Sequence, residues 1–300
     1  MKKITKAVIT AAGLGTRMLP VAKSVPKEML PIADKPALQY LVEEAAGSGI
    51  SDILIINGRG KGAIEDHFDI SPEYESALSK KPGGEKMIEE MRSICRLADI
   101  HFIRQQEPLG LGHAVLKAEA FIGGDDFIVM YGDDVIINES NHVSAQLIES
   151  YNKYGTAIAG VNAVPQHMLA SYCSLKVTTA DEARGEFYVW DMNEKPHKPE
   201  EIFSNYSILG RVLLPPEIFA ILRALPPGRN NEIQLTDAMK TLALSGIGGK
   251  AKMIARDFEG VRHDIGSKLG FLKANVMEGV KHAEAGEDFK AFLREFVGKM

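Results

Sequence analysis

Two cysteines in 300 residues, Cys95 and Cys173, are too few for a disulfide framework, so reduced thiols in a cytoplasmic setting are expected. No uninterrupted apolar run approaches the roughly 20 residues that a membrane span requires, and a soluble protein is expected. A surplus of positive charge is also missing. The formal net charge of −5 argues against general binding to nucleic acid or to anionic membranes, so any work on phosphates falls to local cations. At the N-terminus Lys2 and Lys3 precede the mildly apolar stretch from Ala7 to Leu14, but Arg17 and Lys23 interrupt it and Pro20 follows, which argues against a signal peptide. No His/Cys cluster has the spacing of a zinc site, and no internal repeat or low-complexity tract stands out.

Two familiar phosphate loops are absent as well. A P-loop needs Lys followed by Ser or Thr after its second glycine, and here Gly15 is followed by Thr16 and Arg17. A dinucleotide fingerprint would put its third glycine at Met18, and Pro20 opposes the crossover helix that motif requires. What is present is a short apolar run, Ile4 with Ala7 to Ile9, that opens into Ala11-Ala12-Gly13-Leu14-Gly15-Thr16-Arg17 and then Val25-Pro26-Lys27-Glu28-Met29-Leu30-Pro31. Glycines at a strand's exit serve tight turns, and they also let backbone N–H groups approach phosphate oxygens. Arg17 and Lys27 on the same rim favour the second use.

Along the rest of the chain strands and helices alternate. Leu38, Leu41, Val42 and Ala45 follow helical spacing behind Pro36, and Ile53 to Ile56 form a run of strand length. Ile100 to Ile103 and Phe127 to Tyr131 are further strands, each reached through a helical stretch, so a mostly parallel sheet covered by helices is predicted. Gly132-Asp133-Asp134 then falls at a strand's carboxyl end, where open α/β sheets place ligands. Residues 72 to 95 read as a helical excursion with a mobile turn at Pro82-Gly83-Gly84. Short β-like runs (Ser174 to Val177, Phe187 to Trp190, Ser207 to Leu214) follow, and residues 266 to 300 read as helical. There Leu269, Leu272, Val276 and Val280 have packing spacing that also suits a subunit contact.

The glycine loop and the Pro-Lys-Glu-Met-Leu-Pro segment resemble the signature of the sugar-1-phosphate nucleotidylyltransferases, in wording closest to the bacterial uridylyltransferase branch. Later segments agree in order: Asp34-Lys35-Pro36, Ile64 to Asp69, Arg104-Gln105, Leu109 to Val115, Gly132-Asp133-Asp134, Glu194-Lys195-Pro196, Glu232 to Ala238 and Asp264-Ile265-Gly266. These landmarks cover residues 7 to about 271. The resemblance implies one Rossmann-like nucleotidyltransferase domain over 1–300, with a nucleotide-binding half (1–135), a sugar-phosphate-binding half (136–265) that includes a small β-rich part, and C-terminal helices (266–300). The implied reaction is attack of glucose 1-phosphate on the α-phosphorus of UTP, giving UDP-glucose and pyrophosphate with Mg²⁺. No enzyme nucleophile is required, because positioned cations and backbone donors can hold two repelling polyanions in line. A homodimer or homotetramer is the implied assembly.

Residue by residue, the resemblance assigns Arg17 and Lys27 to the triphosphate and Lys195 to the phosphate of the sugar. Ala11, Ala12, Gly13, Leu14, Gly15, Gln105, Gly110 and Gly112 would bind the nucleotide. Tyr172, Cys173, Glu194 and Asn205 would join Lys195 around the sugar phosphate. Asp133 and Asp264 would hold the metal, since hard carboxylate oxygens suit Mg²⁺, which takes only one or two protein carboxylates beside substrate phosphates. Asp134 should face the opposite way on an extended backbone. A side-chain amide such as Gln105 both donates and accepts, which matches uracil's imide edge, and thymine's equally. His113 reads as a capping or packing residue, and Gly58-Arg59-Gly60-Lys61-Gly62 as a strand-to-helix turn with solvated charges.

Three positions depart from the family's usual wording. Cys173 stands where Tyr-Gly is usual, which puts a thiol and a Cβ beside the sugar pocket. His263 replaces tyrosine next to Asp264, with a change in metal affinity as the expected consequence. Ser207 replaces an alanine, read as a minor change. Two rivals stay open at this point: the same chemistry with dTTP or another hexose 1-phosphate, and a non-catalytic regulatory paralogue.

Overall fold

The computed structural model describes residues 2–228, 231–246 and 250–300. Its strands are β1 (Lys6–Ala11), β2 (Pro31–Ile32), β3 (Lys35–Pro36), β4 (Asp52–Asn57), β5 (Asp99–Arg104), β6 (Phe127–Tyr131), β7 (Asp134–Ile137), β8 (Ala157–Ala163), β9 (Cys173–Asp181), β10 (Glu186–Glu194), β11 (Tyr206–Leu214), β12 (Met253–Asp257) and β13 (Val261–Asp264). Nine of them form one sheet in the order β5-β4-β1-β6-β11-β8-β12-β10-β9. Only β11 and β10 run against the other seven, so the sheet is mixed and mostly parallel.

The central strands read as continuous apolar runs because both of their faces are covered. In β1, Ala7 and Ile9 point into one core layer and Val8 into the other, and all three are fully buried. The first layer packs under the helices Ala37–Gly47, Gly62–Phe68 and Val143–Tyr154; the second packs under Leu111–Leu116, Glu217–Ala224 and Leu235–Leu244. Leu38, Leu41, Val42 and Ala45 are all buried, as their spacing predicts. Phe127 stacks on Phe219 in the second layer, ring centroids 5.3 Å apart.

From β1 the chain winds outward to β4 and β5, then returns to lay β6 on the other side of β1. The order reverses there. The crevice above the carboxyl ends of β1 and β6 is therefore the switch point at which such sheets take ligands. The loop after Ala11 and the Gly132-Asp133 turn both open into it.

Two expectations change. The turn between the helices Pro72–Leu78 and Gly84–Cys95 is tied down: Lys81 N–H donates to Leu78 (2.9 Å), Gly84 N–H donates to Lys81 (3.1 Å), and Arg92 grips Glu75 across the pair at 2.7 and 2.8 Å. In the helix Lys268–Gly279 three of the four residues with packing spacing, Leu269, Leu272 and Val276, are 63, 60 and 44 % exposed, while Val280 at its end is half-buried. That helix docks by its other side, through buried Ala274 and through Asn275, which donates to the Pro31 carbonyl at 3.2 Å. No helix of the described residues is long and apolar enough to cross a membrane.

Candidate active site

Behind β1 the chain turns through Gly13 and Gly15 into a 3₁₀ turn, Thr16–Met18. Gly15 sits at φ +67°, where a side chain would be strained, and a Cβ there would press on Ala22 and Lys27. A Cβ on Gly13 would meet nothing nearer than the Lys27 ammonium at 3.8 Å, so glycine at that position leaves space rather than serving the fold.

The loop has a buried support that the sequence did not reveal. Lys61 lies beneath it, donating to the Ala11 carbonyl and to both oxygens of Glu28 at 2.9 and 2.8 Å. Glu28 is wholly buried and Lys61 is 9 % exposed, so the expected solvated turn is corrected for this lysine, although Arg59 beside it is exposed. Burial pushes Glu28 up and Lys61 down, and each charge opposes the shift of the other.

The carboxylates converge from the carboxyl ends of two strands, β6 of the main sheet and β13 of the small β13-β7 sheet. Asp133 follows Gly132 at the end of β6; a Cβ on Gly132 would stand 2.5 Å from the Thr10 carbonyl, so glycine lets the turn lie flat on β1. Lys27 donates to Asp133 Oδ2, and Arg17 lies 3.8 Å from the same oxygen. Desolvation works against both charges of the Lys27–Asp133 pair, yet their attraction wins, holding Asp133 below the usual carboxylate range and Lys27 above the usual amine range. Asp264 ends β13, its Oδ1 accepting from Gly266 N–H at 3.0 Å, while Ile265 N–H reaches the Asp133 carbonyl at 3.0 Å.

A Cβ added to Gly266 would stand 2.6 Å from Asp133 Oδ2, 3.1 Å from Asp264 Oδ1 and 2.8 Å from Arg17 Nη2. The bare glycine thus keeps open a small space edged by one oxygen from each aspartate. Two hard oxygens at an otherwise cationic rim fit a divalent ion that completes its shell with water and phosphate.

Asp134 pairs with Arg262 at 2.5 Å, and, as the cross-strand partner of Asp264, it lines the smaller cavity beside Asp133, so the expectation that it faces the opposite way is corrected. Burial raises its carboxyl to about 6; Arg262 opposes the rise, while Asp133 and Asp264 add to it. His263 points away from the aspartates. It is buried with Nε2 3.2 Å from Glu278 Oε1, so its expected influence on the metal has no contact to act through.

Two cavities meet over these groups. One, of about 610 Å³, is lined by Ala12, Gly13, Leu14, Gly15, Gln105 and Gly110 together with Arg17, Lys27 and Asp133. The other, of about 200 Å³, is lined by Tyr172, Cys173, Glu194, Lys195, Asp133 and Asp264. Arg17, Tyr131, Asp133, Leu111 and Gln234 border both.

Several anticipated residues stand apart from the cavities. Ala11 is beneath the loop and Asn205 lies outside both linings. At Gly112 the close approach is made by protein: its N–H donates to the Ile233 carbonyl at 2.8 Å, and a Cβ would strike that oxygen and Leu222. Gln105 uses its amide nitrogen internally, donating to the Gly110 carbonyl at 3.0 Å and lying 3.0 Å from His113 Nδ1, so its carbonyl oxygen is the group left to meet a ligand. His113 is thereby the prop of Gln105.

Lys195 takes φ +48°, unusual for a side-chain-bearing residue, and its N–H is pinned by the Tyr172 carbonyl at 2.7 Å. Its ammonium lies 3.4 Å from Glu194. Sequence reasoning gave no role to Gln234 or Arg262, the latter holding the Tyr172 hydroxyl at 3.1 Å. Gln234 lies within the Glu232-to-Ala238 landmark, and that was its one available signal.

The family model for nucleotidyl transferases matches residues 6–278. The chain belongs to the nucleotidyl transferase family. As such a transferase it is 48 % identical over 297 residues to UTP–glucose-1-phosphate uridylyltransferase YngB of Bacillus subtilis, covering 99 % of this chain and 96 % of the relative. Among solved structures, a UDP-glucose pyrophosphorylase complexed with UDP-glucose has 38 % identity and a TM-score of 0.82, covering 93 % of this chain and all of the other. The UTP-bound enzyme from Acinetobacter baumannii has 36 % identity and a TM-score of 0.86, covering 98 and 99 %. These nucleotidyl transferases share the mixed, mostly parallel sheet of the present chain.

Proposed function

We propose that this nucleotidyl transferase joins UTP and glucose 1-phosphate into UDP-glucose, with release of pyrophosphate. The observation that carries the reading is the meeting of the two cavities at Arg17 and Asp133, one walled by a glycine loop and the other lined by Lys195. Relatives named for this reaction, and relatives solved with UTP and UDP-glucose, support it. In this reading residues 1–135 carry the nucleotide and 136–265 the sugar phosphate.

The reaction forms one P–O bond and breaks another. A phosphate oxygen of the sugar attacks the α-phosphorus of UTP, and the bond to the β-phosphate breaks as pyrophosphate leaves with its electrons. The attacking oxygen is already anionic, so no proton need be removed; the obstacle is repulsion between polyanions. Arg17 and Lys27 neutralise the triphosphate, backbone N–H groups of the Ala12–Gly15 loop cradle it, and Lys195 anchors the sugar phosphate. Glu194 accepts from sugar hydroxyls. The Gln105 carbonyl takes the uracil N3–H, with backbone donors meeting the flanking oxygens. Asp133 and Asp264 would hold Mg²⁺, which supplies charge neutralisation at the α-phosphate when bound. Lys27, which donates to Asp133, lines the larger cavity beside it. The exposed Leu269, Leu272 and Val276 stripe is where a second copy would pack in a homo-oligomer.

Measuring pyrophosphate release across a matrix of nucleotides and sugar phosphates tests the reading. UTP with glucose 1-phosphate is expected to lead, and preference for dTTP would overturn the branch. Lys195→Met is expected to raise KM for glucose 1-phosphate about tenfold or more, with KM for UTP little changed, since a charged hydrogen-bond partner contributes about 1.5–3 kcal/mol. Gly266→Ala crowds both aspartates and is expected to raise the Mg²⁺ concentration for half-maximal turnover about tenfold. A titration curve superposing on wild type would remove Gly266 from the metal's surroundings.

A further inference from the structure

Cys173 opens β9 at the edge of the main sheet, whereas Ser207 and Ile208 belong to β11, with β8, β12 and β10 lying between them in the strand order. At the site end these distant strands nevertheless touch. Cys173 N–H donates to Ser207 Oγ at 3.2 Å, the Ile208 N–H donates to the thiol at 3.3 Å, and the thiol and the Ser207 hydroxyl are 3.5 Å apart. The contact continues one residue on, where Ser174 Oγ donates to the Ser204 carbonyl at 2.8 Å. The sheet curls there, and the curl makes one wall of the smaller cavity.

The two positions at which the sequence departs from the usual wording around the sugar, 173 and 207, are thus in contact. Ser207, expected to be minor, is wholly buried and spends its hydroxyl on Cys173. Cys173 is also the direct cross-strand partner of Glu194, and paired residues on antiparallel strands present their side chains to the same face. The thiol therefore stands beside the carboxylate that faces the same cavity. Burial raises it to about 11, so it remains a neutral thiol there. With its sulfur already accepting from Ile208 and set against the Ser207 hydroxyl, it offers a ligand an apolar bulge and at most a weak S–H donor.

We propose that Cys173 is a specificity-determining residue for the sugar phosphate, and that Ser207 is a positioning residue acting through it. The inference rests on the proposed function, in which the smaller cavity takes the hexose ring. A ring hydroxyl directed at the sulfur loses its water and gains only a weak partner there, while glucose 1-phosphate fits with its hydroxyls on Glu194. Epimers that aim a hydroxyl at this wall are excluded by bulk and by the poorly paired polar group.

The test is kcat/KM for glucose 1-phosphate and for its C4 epimer, galactose 1-phosphate, at saturating UTP. In Cys173→Gly the preference for glucose 1-phosphate is expected to fall about tenfold, with KM for UTP unchanged, the scale set by small changes in a pocket wall. Cys173→Ala keeps the Cβ and is expected to fall between; it also serves should the glycine variant lose its fold. Ser207→Ala lowers the preference less, and adding it to Cys173→Gly has no further effect because its route runs through the thiol. Preference within about twofold of wild type in both Cys173 variants overturns the proposal. Lys195→Met separates the two layers: if it leaves KM for glucose 1-phosphate untouched, the assignment of the cavity fails, whereas an effect at Lys195 with none at Cys173 sinks this inference alone.

Discussion

Asp133→Asn is expected to lower kcat about a thousandfold, because several kcal/mol of charge stabilisation at the reacting phosphate are lost with the carboxylate that organises it. Asp133 receives Lys27 directly, lies near Arg17, and borders both cavities. Asparagine keeps the shape and one acceptor oxygen but releases Lys27 and weakens any divalent ion. Steady-state pyrophosphate release at saturating substrates measures the loss, and raising Mg²⁺ should recover part of it. Turnover within tenfold of wild type, at ordinary Mg²⁺, would remove Asp133 from the proposed chemistry. Asp264→Asn is expected to act in the same direction, and Asp133→Asn/Asp264→Asn together should cost far less than the product of the single effects, since both serve one ion.

Arg211→Met is expected to destabilise the fold by about 3–5 kcal/mol, the usual result of removing one partner from a buried ion pair. Arg211 is wholly buried in β11, Glu44 almost so, and the guanidinium grips the carboxylate at 2.7 to 3.2 Å. Glu44 also accepts from the Ser144 backbone at 3.1 Å and from its hydroxyl at 2.6 Å, so β11 and two helices share one charge pair. Thermal unfolding should show a midpoint fall of roughly 10 °C for a chain of this size. Glu44→Leu with Arg211→Met should regain most of it, because neither charge is then stranded. A single variant melting with wild type would mean the pair contributes nothing. Arg211 also donates to the Asp134 carbonyl at 2.8 Å, directly behind Asp133. The rescued double variant is therefore expected to keep a several-fold kcat deficit that stability alone does not explain.

Much of the larger cavity's lining was legible because its signals are local. Gly13 and Gly15 sit at a strand's exit, Arg17 follows two residues on, and Lys27 returns to the same rim at the third of three short 3₁₀ turns in one continuous segment. The smaller cavity's lining was less legible. Glu194 and Lys195 form a turn sequence in isolation, and their approach to Asp133 depends on sheet order, which no spacing encodes. Lys61 was misread for the same reason. In sequence it belongs to a polar turn, and only the packing of β4 beside β1 carries it beneath Ala11 to meet Glu28. The stripe Leu269, Leu272 and Val276 has the period of a buried face, but periodicity fixes which residues share a face and not what covers it.

From its residues alone the chain fixed its apolar runs, its glycine loop and the kinds of charge beside it, since strand burial and turn chemistry act over a few neighbours. The reversal of strand order beside β1, the two aspartates around Gly266 and the joining of Cys173 to Ser207 were decided by tertiary structure. Each unites segments tens to hundreds of residues apart, and such pairings are selected by the packing of whole layers rather than by the local preference of any one segment.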